Sequence, residues 1–129
     1  MPAINFTVFV DKVESGEKCQ TIRQPRLNPI KKGDTVYLYT GMRTKNARKL
    51  GTGVVKEVTF IKIDAVLSDD GKPIEDTITI YLEGISIIPI AAKNLAMNDG
   101  FANLIEFAEF FNKKYGLPFF GYLIEWRLK

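Results

Sequence analysis

The chain has 129 residues, 46% of them hydrophobic and 26% charged, with a net charge of +3; that length suits one domain, and the composition excludes the disordered and membrane classes. It contains no histidine and a single cysteine, Cys19, which excludes an internal disulfide, a thiolate zinc cluster, imidazole-based triads and histidine metal sites. Any catalysis must come from Lys, Asp, Glu, Tyr, Thr or Ser, and no cofactor or metal is expected.

Ile4 to Val10, where Ile4, Phe6, Val8 and Val10 alternate with smaller or polar residues, predicts a half-buried first strand. Asp11 to Gly16 reads as a short helical turn, with Asp11 as a possible cap and Gly16 closing it. Cys19 to Arg23 is a second short strand, stopped by Pro25. Lys31 to Asp34 forms a turn that launches Thr35 to Thr40, with Val36, Leu38 and Thr40 on one face and Thr35, Tyr37 and Tyr39 on the other. Gly41 to Gly53 lacks apolar periodicity and reads as a basic loop. Val54 to Val66 is β-branched and forms one long strand or two sharing a bend; Asp70-Gly71 signals a hairpin. Thr77 to Leu82 and Ile85 to Ile90 are two further strands. One amphipathic helix follows, capped by Asn103 with Glu106 three residues on, carrying Leu104, Phe107, Ala108, Phe111 and Tyr115 on one face and ending at Gly116. After Pro118, Phe119 to Trp126 makes a last strand, with Phe120, Tyr122, Ile124 and Trp126 on one face.

This order predicts a mainly β fold with one or two helices, closed as a small barrel because closure removes exposed edges. No linker or repeat divides residues 1–129. No stretch approaches the ~20 apolar residues of a membrane-spanning helix, and Met1 to Asn5 lacks a basic region followed by an apolar one. The cytosol is the expected location, with no membrane partner.

Charge is unevenly placed. Residues 11–62 hold twelve Lys and Arg against five acids, a net of +7, and residues 63–129 hold six against ten, a net of −4. A one-sided excess suits phosphate or another polyanion. Within it, Gly16 to Arg23 reads G-E-K-C-Q-T-I-R, followed by Arg26 and the K-K-G-D turn at Lys31 to Asp34. A glycine and a lysine entering a short strand with T-x-R, then a K-x-G-D turn before the next strand, resembles the ASCH domain, one of the PUA-like barrels. Asn98-Asp99-Gly100-Phe101 before the amphipathic helix, and the aromatic closing strand, are similar to that family's acidic-Gly-hydrophobic element and terminal strand. Asp64 to Pro89 matches no part of the pattern and reads as an elaboration.

The resemblance implies RNA or nucleotide binding. Some small bacterial members are amidohydrolases that remove the acetyl group from 4-acetylcytidine with a lysine, a threonine and a carboxylate. Matched by motif, the lysine falls on Lys18, the threonine on Thr21, the motif arginine on Arg23 and the carboxylate on Asp99, where those enzymes carry the longer Glu.

Strand geometry constrains this set. Thr21 and Arg23 share a face, whereas Lys18, three residues from Thr21, reaches them only from the turn after Gly16. There burial and the neighbouring guanidinium would lower its pKa, so that a neutral amine could serve as general base toward a threonine hydroxyl or a water. Asp99 would orient the lysine or an amide leaving group, and Arg23 or Arg43 would hold a phosphate or carbonyl. The basic loop adds Arg43, Lys45, Arg48 and Lys49 for phosphates, with Tyr37 and Tyr39 offering rings on which a base could stack or packing against the Arg stems. The leading expectation is an RNA- or nucleotide-binding domain using Arg23, Arg26, Tyr39, Arg43, Lys45 and Arg48. The alternative is an amidohydrolase for an acylated nucleoside, using Lys18, Thr21 and Asp99.

Overall fold

A computed structural model describes residues 2–129. Strands β1 (Ala3–Phe6), β2 (Gln20–Arg23), β3 (Thr35–Thr40), β4 (Arg48–Asp64), β5 (Thr79–Leu82), β6 (Ile85–Ser86) and β7 (Phe119–Leu128) form one mixed sheet, with helices α1 (Val10–Ser15), α2 (Pro89–Asn98) and α3 (Leu104–Tyr115). The 17-residue β4 is its spine. One edge of β4 pairs with β3 and, further along, with β5; the other pairs antiparallel with β7, which carries β2. β1 joins β3 in parallel.

Two cores lie on opposite faces of this sheet, which neighbouring residues of β7 make plain. Leu123 joins Phe119, Ile61, Ile63 and the helix residues Leu95, Phe107 and Phe111, while Ile124 joins Trp126, Phe6, Val36, Leu38 and Val55. A bulge makes the switch possible: between Val55 and Glu57 the ladder slips by one residue, so the alternation of β4 reverses. The first core receives α2 and α3; each buried aromatic there contributes roughly 1.5–3 kcal/mol.

The mainly β class is as expected, but the α-helices number three rather than one or two and the sheet is not a closed barrel. Its outer strands β1 and β2 share no ladder among the described residues. Four local expectations change. β1 ends at Phe6, because Phe9 takes a left-handed conformation (φ 56°) and Val10 starts α1. Phe9, rather than Asp11, is the N-cap, and it makes no side-chain cap. Arg48 and Lys49 belong to β4, paired with Thr40 and Tyr39, so the basic loop is shorter than predicted. The run Ile85 to Ile90 splits into the two-residue β6 and the first turn of α2, with Pro89 at its start. On α3 the Asn103 side chain accepts from Glu106 N at 2.9 Å, as its sequence predicts. Among the described residues no helix is long and apolar enough to cross a membrane.

Candidate functional site

Local chain geometry brings Lys18 and Asp99 together from opposite ends of the sequence. Gly16 closes α1 in the left-handed region (φ 84°), and Lys18 N donates to Lys12 O at 2.9 Å, folding the chain back before β2 begins. Lys18 therefore sits outside the strand, as its spacing from Thr21 requires. Asp99 is the C-cap of α2. Gly100 N donates to Met97 O and Phe101 N to Ala96 O, a Schellman pattern that needs the positive φ of Gly100 (112°). The Asp-Gly-Phe sequence thus ends the helix and points the carboxylate of Asp99 inward.

Lys18 and Asp99 are 4% and 3% exposed. Lys18 Nζ donates to Asp99 O at 2.7 Å and lies 3.6 Å from Asp99 Oδ1. Gln20 Nε2 donates to that same Oδ1 at 3.3 Å and to Leu95 O at 3.2 Å. Thr21, also buried, accepts at Oγ1 from Arg23 Nε at 2.9 Å, and Arg23 Nη2 donates to Asn5 O at 2.8 Å. The Phe6 ring lies beneath both cations, 4.9 Å from the Arg23 guanidinium and 5.8 Å from Lys18 Nζ.

Electrostatics follow from burial. Desolvation holds the Lys18 ammonium below the usual lysine range; Asp99 opposes this and Arg23 reinforces it. Desolvation likewise pushes the Asp99 carboxyl up to about 6, against the pull of Lys18 and Gln20. Each partner makes the charge of the other tolerable, and neither is fully compensated.

Lys18, Thr21, Arg23 and Asp99 line one chamber, covered by the Thr7–Phe9 segment and by Tyr115. It encloses about 50 Å³, space for a few waters rather than the several hundred Å³ of an ordinary ligand pocket. Outward from it, sharing Asn5, Arg23 and Tyr115, opens a hollow of about 310 Å³ that reaches Arg26. Beyond, sharing Ala3, Asn5 and Arg26, lies a wider one of about 720 Å³ between Asn28 and Arg43. The three make a continuous groove along the seam between β1 and β2.

Of the expected ligand-binding residues, Arg23, Arg26 and Arg43 line this groove. Tyr39, Lys45 and Arg48 do not: Tyr39 is on β3 opposite Lys49, Lys45 is exposed in the 41–47 loop, and Arg48 is ion-paired with Glu14. Lys49 Nζ sits 4.8 Å from the Tyr37 ring, so that ring meets a lysine ammonium. Gln20, Asn5, Phe9 and Tyr115 are site residues that the sequence alone did not single out. Gln20 stands between Cys19 and Thr21 in the motif, but only the fold shows its amide reaching Asp99. Among the described residues no three His, Cys, Asp or Glu side chains group in a way that could hold a metal.

Comparison with known proteins finds no match for this chain among family models, curated proteins or solved structures.

Proposed function

We propose that the chain is an RNA- or nucleotide-binding domain of the ASCH type, acting in the cytosol, and that its ligand lies in the groove along the β1–β2 seam. The observation that carries this reading is convergence. Lys18, Arg23, Arg26, Arg43 and Lys114 come from three separate stretches of chain onto one groove, against the acids Asp34 and Asp99. Arg26 and Arg43 are exposed at its wide end, where an anionic phosphate gains most from them. The PUA-like architecture of that family is mainly β, as this sheet is; here the seam between its outer strands is the groove itself. Isothermal titration with cytidine, its 5′-phosphate and a short single-stranded RNA tests the proposal. Affinity should rise along that series, and Arg43→Ala should weaken the two phosphorylated ligands and leave cytidine unchanged. Equal affinity for all three, or an unaffected variant, would overturn it.

A second reading rests on the inner chamber, where Lys18, Thr21 and Asp99 are buried polar groups on one small cavity. In an amidohydrolase acting on 4-acetylcytidine, the Lys18 amine, whose charged form burial disfavours, would on losing its proton take that of Thr21 or a water as its oxygen attacks the acetyl carbonyl. That proton would then pass to the departing N4, leaving acetate and cytidine after hydrolysis. Acetate release by the parent protein and none by Lys18→Ala would favour this reading.

A further inference from the structure

The sheet is covered unevenly. Where the second half of β4 meets the first half of β7, α2 and α3 pack on one face, and the other face carries an uncovered aromatic row. Phe60 and Tyr122 are opposed in the ladder, and Lys62 is opposed to Phe120 on one side and to Tyr81 on the other. The Phe60 ring stacks on Phe120 (centroids 6.3 Å, planes at 21°) and meets Tyr122 edge-on at 5.7 Å. Lys62 Nζ lies 5.0 Å from the Tyr81 ring and 5.6 Å from Phe120. Phe120 is 48% exposed and Tyr122 37%. At its Tyr122 end the row enters an apolar hollow of about 180 Å³, lined by Val58, Ile124, Pro25 and Pro29 and by Arg26. Arg26 also lines the seam groove. Arg26 therefore borders both the aromatic face and the groove.

We infer that this face is a stacking platform for unpaired bases of a single-stranded RNA whose backbone passes Arg26 as it leaves the groove. The inference rests on the RNA reading above and assigns it a second contact surface. Aromatic rings half-open to solvent offer flat faces to any base, and two cations, Arg26 at the Tyr122 end and Lys62 between Phe120 and Tyr81, match the phosphates of stacked bases. Two acids border the row. Asp64 lies 4.0 Å from Lys62, and the Glu83 carboxylate is occupied by Phe60 N–H at 2.8 Å. A second copy of the chain is the competing occupant of this face, and the test below separates the two.

The test is fluorescence anisotropy with labelled single-stranded RNAs of 4 and 12 nucleotides, comparing the parent with Phe120→Leu/Tyr122→Leu. Leucine keeps apolar bulk at these surface positions and removes the rings; circular dichroism and thermal unfolding check that the variant is folded. The double variant should bind the 12-mer at least about tenfold more weakly and bind the 4-mer, held in the groove, as the parent does. The slope of affinity against salt should not change, because no cation is removed. An unchanged 12-mer affinity overturns the platform and leaves the groove reading intact. So does a variant that loses self-association, measured by sedimentation, in place of RNA affinity. If the parent binds neither RNA, both readings fail together.

Discussion

Arg23 reaches across the open seam of the sheet to Asn5: its Nη2 donates to the main-chain O of Asn5 at 2.8 Å while its Nε holds Thr21 Oγ1 at 2.9 Å. Where a closed barrel would have a ladder between β2 and β1, this protein has the Arg23 guanidinium and, more loosely, that of Arg26, whose Nη1 donates to Ala3 O at 3.5 Å. That substitution leaves the seam open as a groove and fixes the hydroxyl at the groove's inner end.

Arg23→Lys should therefore lower stability by about 1–3 kcal/mol. A lysine keeps the charge but lacks the planar fork that serves both acceptors, and one buried partner is left unpaired. Urea unfolding measures the loss. No change in the midpoint would mean that the seam holds without this bridge.

The Asp99 carboxyl should titrate near the value to which burial pushes it, about 6, and Lys18→Met should move it higher still. The Lys18 charge is the largest influence holding that value down, so its removal leaves desolvation less opposed. Carbon-detected NMR of the Asp99 carboxyl reads both values. A carboxyl that titrates in the ordinary range near 3.8 would contradict the burial argument.

The same shift has a sign in stability. Between about 3.8 and about 6 the folded chain keeps a proton on Asp99 that the unfolded chain releases. The folded state thus binds more protons there, and this group's contribution falls as pH rises through the window. Asp99→Asn mimics the protonated form and lacks this loss, so its stability relative to the parent should increase from pH 4 to pH 7. Urea midpoints at the two pH values check it; a relative stability that is flat or falling would be the wrong sign.

Gly121→Ala should be strongly destabilising, at about 3 kcal/mol or more. A Cβ at this position would lie 2.4 Å from Arg23 O and 2.8 Å from the Phe119 ring, so β2 must move away from β7. Thermal unfolding should show the loss, and the displaced Arg23 should weaken any ligand held in the groove. A variant with parental stability would show that β2 shifts freely.

How far the sequence carried the fold depended on whether a signal was local. Asn103, Glu106 and the apolar face of α3 are a cap and a period, and both are realised. Thr35–Thr40 is likewise realised to its ends. The α2 helix escaped because Ile85 to Ile90 is β-branched and strand-like, although Pro89 followed by Ile-Ala-Ala is a readable helix start. The face assigned to β7 held only in part: Ile124 and Trp126 are buried, whereas Phe120 and Tyr122 on the same side are exposed, since the second core ends before them. Alternation predicts a side, not what covers it. Lys18 and Asp99 stand 81 residues apart, and no local rule joins them; the motif resemblance proposed the pair, and the fold brings the two side chains together. The reach of the Gln20 amide to Asp99 leaves no trace in the local pattern, because it depends on where α2 ends in space.

The most direct test of the cationic groove is the affinity for a single-stranded RNA measured across a range of salt, in the parent and in Arg26→Ala/Arg43→Ala. Affinity should fall steeply with salt in the parent, and the double variant should reduce that slope by about two, close to one for each phosphate that no longer meets an arginine. A parent affinity indifferent to salt, or a slope that survives removal of both arginines, would contradict the account.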